Sequence, residues 1–203
     1  LRAEAELARA ARSPADADAA LAAVIAATDR LSRLTEQLLA LARVEEAGTT
    51  ATSFDLGELA RQVIAALAPA ALRAGSEIEL EAERGVDVRA SMTLLDALLR
   101  NLIDNAIAYG ERARLSVSRA DNEIFVRVED DGPGMSAEAL ASAADPFYRG
   151  DASRNRATGG AGLGLTLADA IAKAHGGRLL LENRSGRGLD ATIVLPLVVR
   201  SAS

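Results

Sequence analysis

From about Ala15 to Glu46, apolar or small side chains recur at alternating spacings of three and four: Leu21, Val24, Thr28, Leu31, Thr35, Leu38 and Ala42, flanked by Ile25, Leu34 and Leu41. That is the period of a long amphipathic helix. Upstream, "LRAEAELARAAR" reads as the end of another helix, and "SPADAD" as a stop followed by a new start. There Ser13 can cap, Pro14 suits a first turn, and Asp16 and Asp18 favour the positive helix end. Residues 1–47 are therefore expected to form a helical hairpin whose apolar stripe is too wide for the hairpin to cover alone. The economical cover is a second copy, giving a four-helix bundle about a two-fold axis; packing onto the chain's own second part is the other solution.

Small polar residues over 48–56 break the period and read as a linker, and beyond them the pattern changes. A helix is expected over about Leu56 to Arg73, then strands "SEIELEAE" and "VDVRA", and a helix over about Ser91 to Tyr109. Strands "ARLSVSRA" and "EIFVRVED" follow, then an irregular segment from Gly132 to about Gly162, a helix to Ala174 and a closing pair "GRLLLENRS" and "LDATIVLPL". Residues 57–203 thus predict an α+β domain, an α/β sandwich in which a mixed sheet carries helices on one face.

Composition removes several classes of function. With no Cys and one His there is no disulfide framework, no thiolate nucleophile and little to hold a transition metal. A net charge of −6 argues against a nucleic-acid partner, which needs clustered Lys and Arg. The longest apolar runs, such as "LLDALL", are too short for a bilayer, and no signal-peptide pattern opens the chain. Leu1 stands in a helical pattern, so the natural start is expected upstream.

Three segments carry chemistry. In "LLRNLIDNAIAYG", Asn101 and Asn105 lie four apart, so a helix projects both amides from one face while Leu98, Leu99, Leu102, Ile103 and Ala106 serve the core. An amide oxygen can ligate a hard cation and its nitrogen can donate to phosphate; two Asn on a solvated face is the ordinary alternative. In "VRVEDDGPGM", a strand runs through Asp130 and Asp131 into Gly132, Pro133 and Gly134. Glycine there admits close approach of a ligand, and the carboxylate can accept from an exocyclic amine; an acidic turn is the plain alternative. In "GGAGLGLTLADAIAKAHGG", Gly159, Gly160, Gly162 and Gly164 lead into a helix, an arrangement that aims free N–H groups at phosphate. It is neither a Walker pattern, since Gly160 to Thr166 contain no Lys, nor a dinucleotide fingerprint.

Together and in this order, the segments resemble the ATP-binding domain of bacterial sensor histidine kinases, within the superfamily that also holds gyrase, the mismatch-repair ATPase and a heat-shock chaperone. "NLIDNA" resembles the N box, "DDGPG" the first glycine box, "DPFYRG" the F box and "GGAGLGL" the second glycine box. The resemblance covers nearly the whole chain. It implies ATP and magnesium as cofactors, with Asn105 ligating the ion and Asn101 contacting the phosphates. Asp130 would receive the adenine amine, Gly132 and Gly134 would shape its pocket, and Tyr109 would line the site. Gly160, Gly162 and Gly164 would let a lid meet the phosphates, with Leu163 and Leu165 packing its hinge and Phe147 anchoring it. Arg149 would reach the terminal phosphate, making Asn101 and Arg149 the catalytic candidates.

Two departures matter. The basic residue that often precedes the N-box tyrosine is here Ala108, so one phosphate contact is missing or comes from the lid. Asn101 stands where the related ATPases tend to have a Glu base, which favours transfer to a protein nucleophile over hydrolysis.

The resemblance also implies a homodimer through the hairpin and a response regulator whose Asp takes the phosphoryl group from a His. That His belongs on the first hairpin helix, in a segment of the type H-E-x-R-T-P, expected upstream of Leu1. His175, the only histidine, ends a helix before two glycines and reads as structural. The chain alone should then bind magnesium ATP without phosphorylating itself, as a cytoplasmic portion of a protein held in the bacterial inner membrane by other segments. A nucleotide-binding regulatory module without kinase activity is the alternative function. A serine kinase of the anti-sigma type is a third, against which the long heptad hairpin argues.

Overall fold

The computed structural model describes residues 13–44, 51–148 and 162–197. Helix α1 runs over Pro14–Arg43, with Ser13 as its start: the Ser13 hydroxyl accepts from the Asp16 N–H at 3.1 Å. Residues 1–12, the expected end of a preceding helix, lie outside the described residues. The chain forms two compact units that divide within α1, after Leu39. In the first, Leu21, Ile25, Leu31 and Leu38 of the expected stripe are exposed. In the second, Ala40 of the last helical turns joins the core, with Leu41 and Val44 packed against it.

The second unit contains β1 (Thr52–Asp55), α2 (Leu56–Arg73), β2 (Glu77–Ala82), β3 (Asp87–Ala90), α3 (Met92–Gly110), β4 (Arg112–Ala120) and β5 (Glu123–Asp130). It closes with α4 (Ala137–Ser142), α5 (Gly164–Ala174), β6 (Arg178–Asn183) and β7 (Leu189–Pro196). Five strands form one mixed sheet in the order β2-β4-β5-β7-β6, parallel between β2 and β4 and antiparallel elsewhere. β1 and β3 pair antiparallel in a separate two-stranded ribbon. The expected α+β sandwich is the observed fold.

Alternation along the strands decides which face is covered. Ala113, Leu115 and Val117 of β4, Ile124, Val126 and Val128 of β5, and Ala191, Ile193 and Leu195 of β7 are buried in one core. Above them lie α2, α3 and α5, with α3 packed on both neighbours. The outer face carries ion pairs: Arg112 with Glu77, Arg114 with Glu79 (2.9 Å), Arg178 with Glu123 (2.7 Å) and Arg127 with Asp190 (3.1 Å).

Two local expectations are corrected. Part of the stretch expected as a linker, Thr52–Asp55, is strand β1. Its last residue does two jobs: Asp55 accepts from the Glu58 N–H at 3.0 Å to cap α2, and from the Gly85 N–H at 3.1 Å. Pairing with β3, a non-local partner, supplies the order that the polar composition hides. The segment expected to be irregular after Gly132 includes α4, capped by Ser136, whose hydroxyl accepts from the Ala139 N–H. Among the described residues no helix is long and apolar enough to cross a membrane.

Candidate functional site

Helix α3 buries Leu94, Leu95, Leu98, Leu99, Leu102, Ile103 and Ala106. Asn101 and Asn105 are each only partly buried. Asn101 is tied to its own helix, Nδ2 donating to the Ala97 carbonyl at 2.8 Å. Asn105 makes no hydrogen bond to another described residue. Gly164, the first residue of α5, stands against both amides. A Cβ there would come to 2.9 Å from Nδ2 and 3.2 Å from Oδ1 of Asn105, and 3.5 Å from Oδ1 of Asn101. Leu163, fully buried, and Leu165, packed on the core, seat the start of this helix. Its first turn has no side-chain cap, and its own hydrogen-bond ladder begins with the Leu167 N–H donating to the Leu163 carbonyl. Unused N–H groups and the positive helix end are thereby set beside two amides.

The second part of the site follows from the period of β5. Ile124, Val126 and Val128 face the helices, so the same alternation carries Asp130 inward, where it is 8 % exposed. Its Oδ1 accepts from the Gly132 N–H at 2.7 Å and from the Leu189 N–H at 3.2 Å. Both donors use one oxygen, and Oδ2 takes no hydrogen bond among the described residues. Burial pushes the Asp130 carboxyl above the ordinary carboxylate range, while the two N–H groups and the Arg184 charge oppose that rise.

The loop after Asp130 is glycine for steric reasons. A Cβ on Gly132 would lie 2.8 Å from the Tyr109 carbonyl oxygen, and Gly134 has φ +70° with Asn183 Oδ1 2.6 Å from the same hypothetical atom. Tyr109, at the end of α3, thus meets this loop through its main chain.

The F-box and second glycine-box segments join through backbone. Gly162, at φ +73°, accepts at its carbonyl from the Phe147 N–H at 3.2 Å. A Cβ at 162 would fall 2.6 Å from the Tyr148 carbonyl oxygen. The Phe147 ring, expected as a lid anchor, is 67 % exposed, so the attachment here is made by the main chain. Arg149, Gly159 and Gly160 lie outside the described residues.

Several contributors are absent from the motif reading. Gly110 abuts the 130–132 loop, where its Cβ would be 2.7 Å from the Asp131 nitrogen. Asn183, Arg184 and Arg187 reach the same loop from the β6–β7 turn; only "GRG" at 186–188 marks this turn in the sequence. His175 does more than end its helix. Nδ1–H donates to the Ile171 carbonyl at 2.8 Å, and Nε2 accepts from the Ser91 N–H at 3.1 Å. These bonds tie the far end of α5 to the start of α3.

Two amides beside an uncapped helix start, and a buried carboxylate with one open oxygen above a glycine loop, suit a nucleotide's phosphates and an amine-bearing base. A family model described as Histidine kinase-, DNA gyrase B-, and HSP90-like ATPase matches residues 90–199, and the chain belongs to that family. Its relatives within the family include sensor histidine kinases. It is 42% identical over 175 residues to the signal transduction histidine-protein kinase AfsQ2 of Streptomyces coelicolor, covering 85% of this chain and 32% of that protein. It is 34% identical over 183 residues to the sensor-like histidine kinase SenX3 of Mycobacterium bovis, covering 88% and 45%. The catalytic domain of the histidine kinase ThkA superposes with a TM-score of 0.64 at 27% identity, over 72% of this chain and 95% of that one. The chain spans about a third to a half of the length of these curated relatives.

Proposed function

We propose that this chain is the catalytic portion of a sensor histidine kinase, moving the γ-phosphoryl group of ATP to a histidine carried by the hairpin helix outside residues 1–203. The observation that carries the reading is the meeting of Asn105 and Gly164, an amide with no bond to another described residue held against the start of a helix. Adenine is recognised through its amine by Oδ2 of Asp130, and the triphosphate runs toward α3 and the α5 start. Asn101 and Arg149 act on the phosphates, with Gly160 and Gly162 letting the lid approach.

The donor set fits magnesium: the Asn105 oxygen is a hard ligand with no competing bond among the described residues, and Gly164, lacking a Cβ, does not press on it. When bound, the ion supplies charge neutralisation at the phosphates. Asn101 cannot serve as a base for water, because an amide has no proton-accepting lone pair of useful basicity. Transfer then proceeds to nitrogen: a bond forms from the histidine ring to phosphorus, the bond to the β-phosphate oxygen breaks, ADP leaves and the ring surrenders a proton. A response-regulator Asp takes the group next. The exposed stripe at Leu21, Ile25, Leu31 and Leu38 is the dimer seam, which sedimentation finding only monomer at micromolar concentration would refute. The intact kinase is held in the inner membrane by segments outside this chain.

The test is transfer of labelled γ-phosphate, comparing this chain with one extended upstream through a His-bearing helix. Acid-labile label on the extended chain alone is the expected result. Label on neither, with nucleotide still bound, would replace the kinase by a regulatory module.

A further inference from the structure

The turn between β6 and β7 is joined to the 130–135 loop by bonds that the nucleotide reading does not call upon. Nη1 of Arg184 donates to the Asp130 carbonyl at 2.8 Å and to Asp131 Oδ1 at 2.7 Å, and Nε pairs with Glu129 at 3.2 Å. Asn183 makes a reciprocal pair with Met135: Oδ1 accepts from its N–H at 2.8 Å and Nδ2 donates to its carbonyl at 2.7 Å. Nε of Arg187 donates to the Gly132 carbonyl at 3.2 Å. The turn therefore grips the loop at its start, middle and end, while Gly110 and the Tyr109 carbonyl close on it from α3.

Two physical needs are met at once. A loop with glycines at 132 and 134 has more backbone freedom than any other sequence would give it, and these bonds remove that freedom before ligand arrives. Three consecutive acids, Glu129 to Asp131, repel one another at the strand end, and one guanidinium placed among them offsets the repulsion.

We infer that Arg184 and Asn183 are positioning residues for base recognition, aiming Asp130 Oδ2 through residues 130–135 without touching the nucleotide. The inference rests on the proposed reading of this loop as the adenine site.

The test uses the whole 203-residue chain with magnesium ATP and magnesium GTP as probes, which share a triphosphate and differ at the base edge that Asp130 would face. Calorimetry and melting temperature are compared for the wild type, Asp130→Asn, Arg184→Met, Arg184→Lys and Asn183→Ala. Arg184→Met is expected to weaken ATP about tenfold, the worth of one charge-assisted bond, while GTP affinity is unchanged and Arg184→Lys recovers part of the loss. Asn183 is exposed, so Asn183→Ala is expected to fold, with a small drop in melting temperature at most, and to shift ATP in the same direction; it decides the matter if Arg184→Met does not fold. ATP binding unaltered in these variants, or ATP and GTP weakened alike, overturns the positioning role. A wild type with no preference for ATP over GTP, or Asp130→Asn binding ATP normally, defeats the adenine reading and this inference with it. ATP preference lost in Asp130→Asn alone defeats only the inference.

Discussion

Gly164 and Asn105 leave no room between them for a methyl group: a Cβ at 164 would stand 2.9 Å from the Asn105 amide nitrogen. Gly164→Ala is therefore expected to turn that amide away and to weaken magnesium ATP binding by about tenfold or more. The fold should hold, because the atoms a Cβ at 164 would meet belong to the ends of side chains and not to backbone. Calorimetry beside a thermal melt checks both halves, and an undiminished affinity would separate Asn105 from the nucleotide.

Asp130 gives a pH signature. Its carboxyl is held above the ordinary range chiefly by burial, so the folded chain binds its proton more tightly than the unfolded chain does. The stability this contributes is fully present below the ordinary carboxylate pKa of about 3.9 and is lost as pH rises through the raised value. Asp130→Asn removes that loss. Its melting temperature should equal or exceed the wild type at pH 7 to 8, with the advantage fading toward pH 4, while ATP binding falls. A variant less stable than wild type at neutral pH would contradict the sign.

His175 spends both ring nitrogens on backbone, at Ile171 and Ser91. His175→Ala strands the part-buried Ser91 N–H, at a cost of roughly 1–3 kcal/mol, seen as a melting temperature several degrees lower. In a chain extended to carry an acceptor histidine, the yield of acid-labile phosphate per folded molecule should be unaffected. Loss of label in proportion to His175 would make it the acceptor.

How far the sequence could be read depended on the range of the interactions involved. The seven-residue period of α1, the alternation of β4 and β5, and the Asn101/Asn105 spacing are local, and the structure repeats them. Strand β1 was hidden because Thr52–Asp55 is ordered by β3, about 35 residues onward. The grip of Arg184 on Asp131 was hidden for the same reason, since no local pattern announces a side chain that crosses from one turn to another. Asp130 could be chosen from its glycine neighbours, yet the burial that gives it a raised pKa came only with α3 and β7 in place.

The charged outer face bears on how two such units can coexist. β2 is an edge strand, and it carries Glu77, Glu79 and Glu81 on alternate positions. Edge-to-edge pairing of two copies through β2 would set these carboxylates against their own kind. The sheet is thus built not to be extended through β2. Copies of this domain brought close together therefore meet at β2 with like charge against like, and their sheets do not run on through that edge into one continuous ribbon.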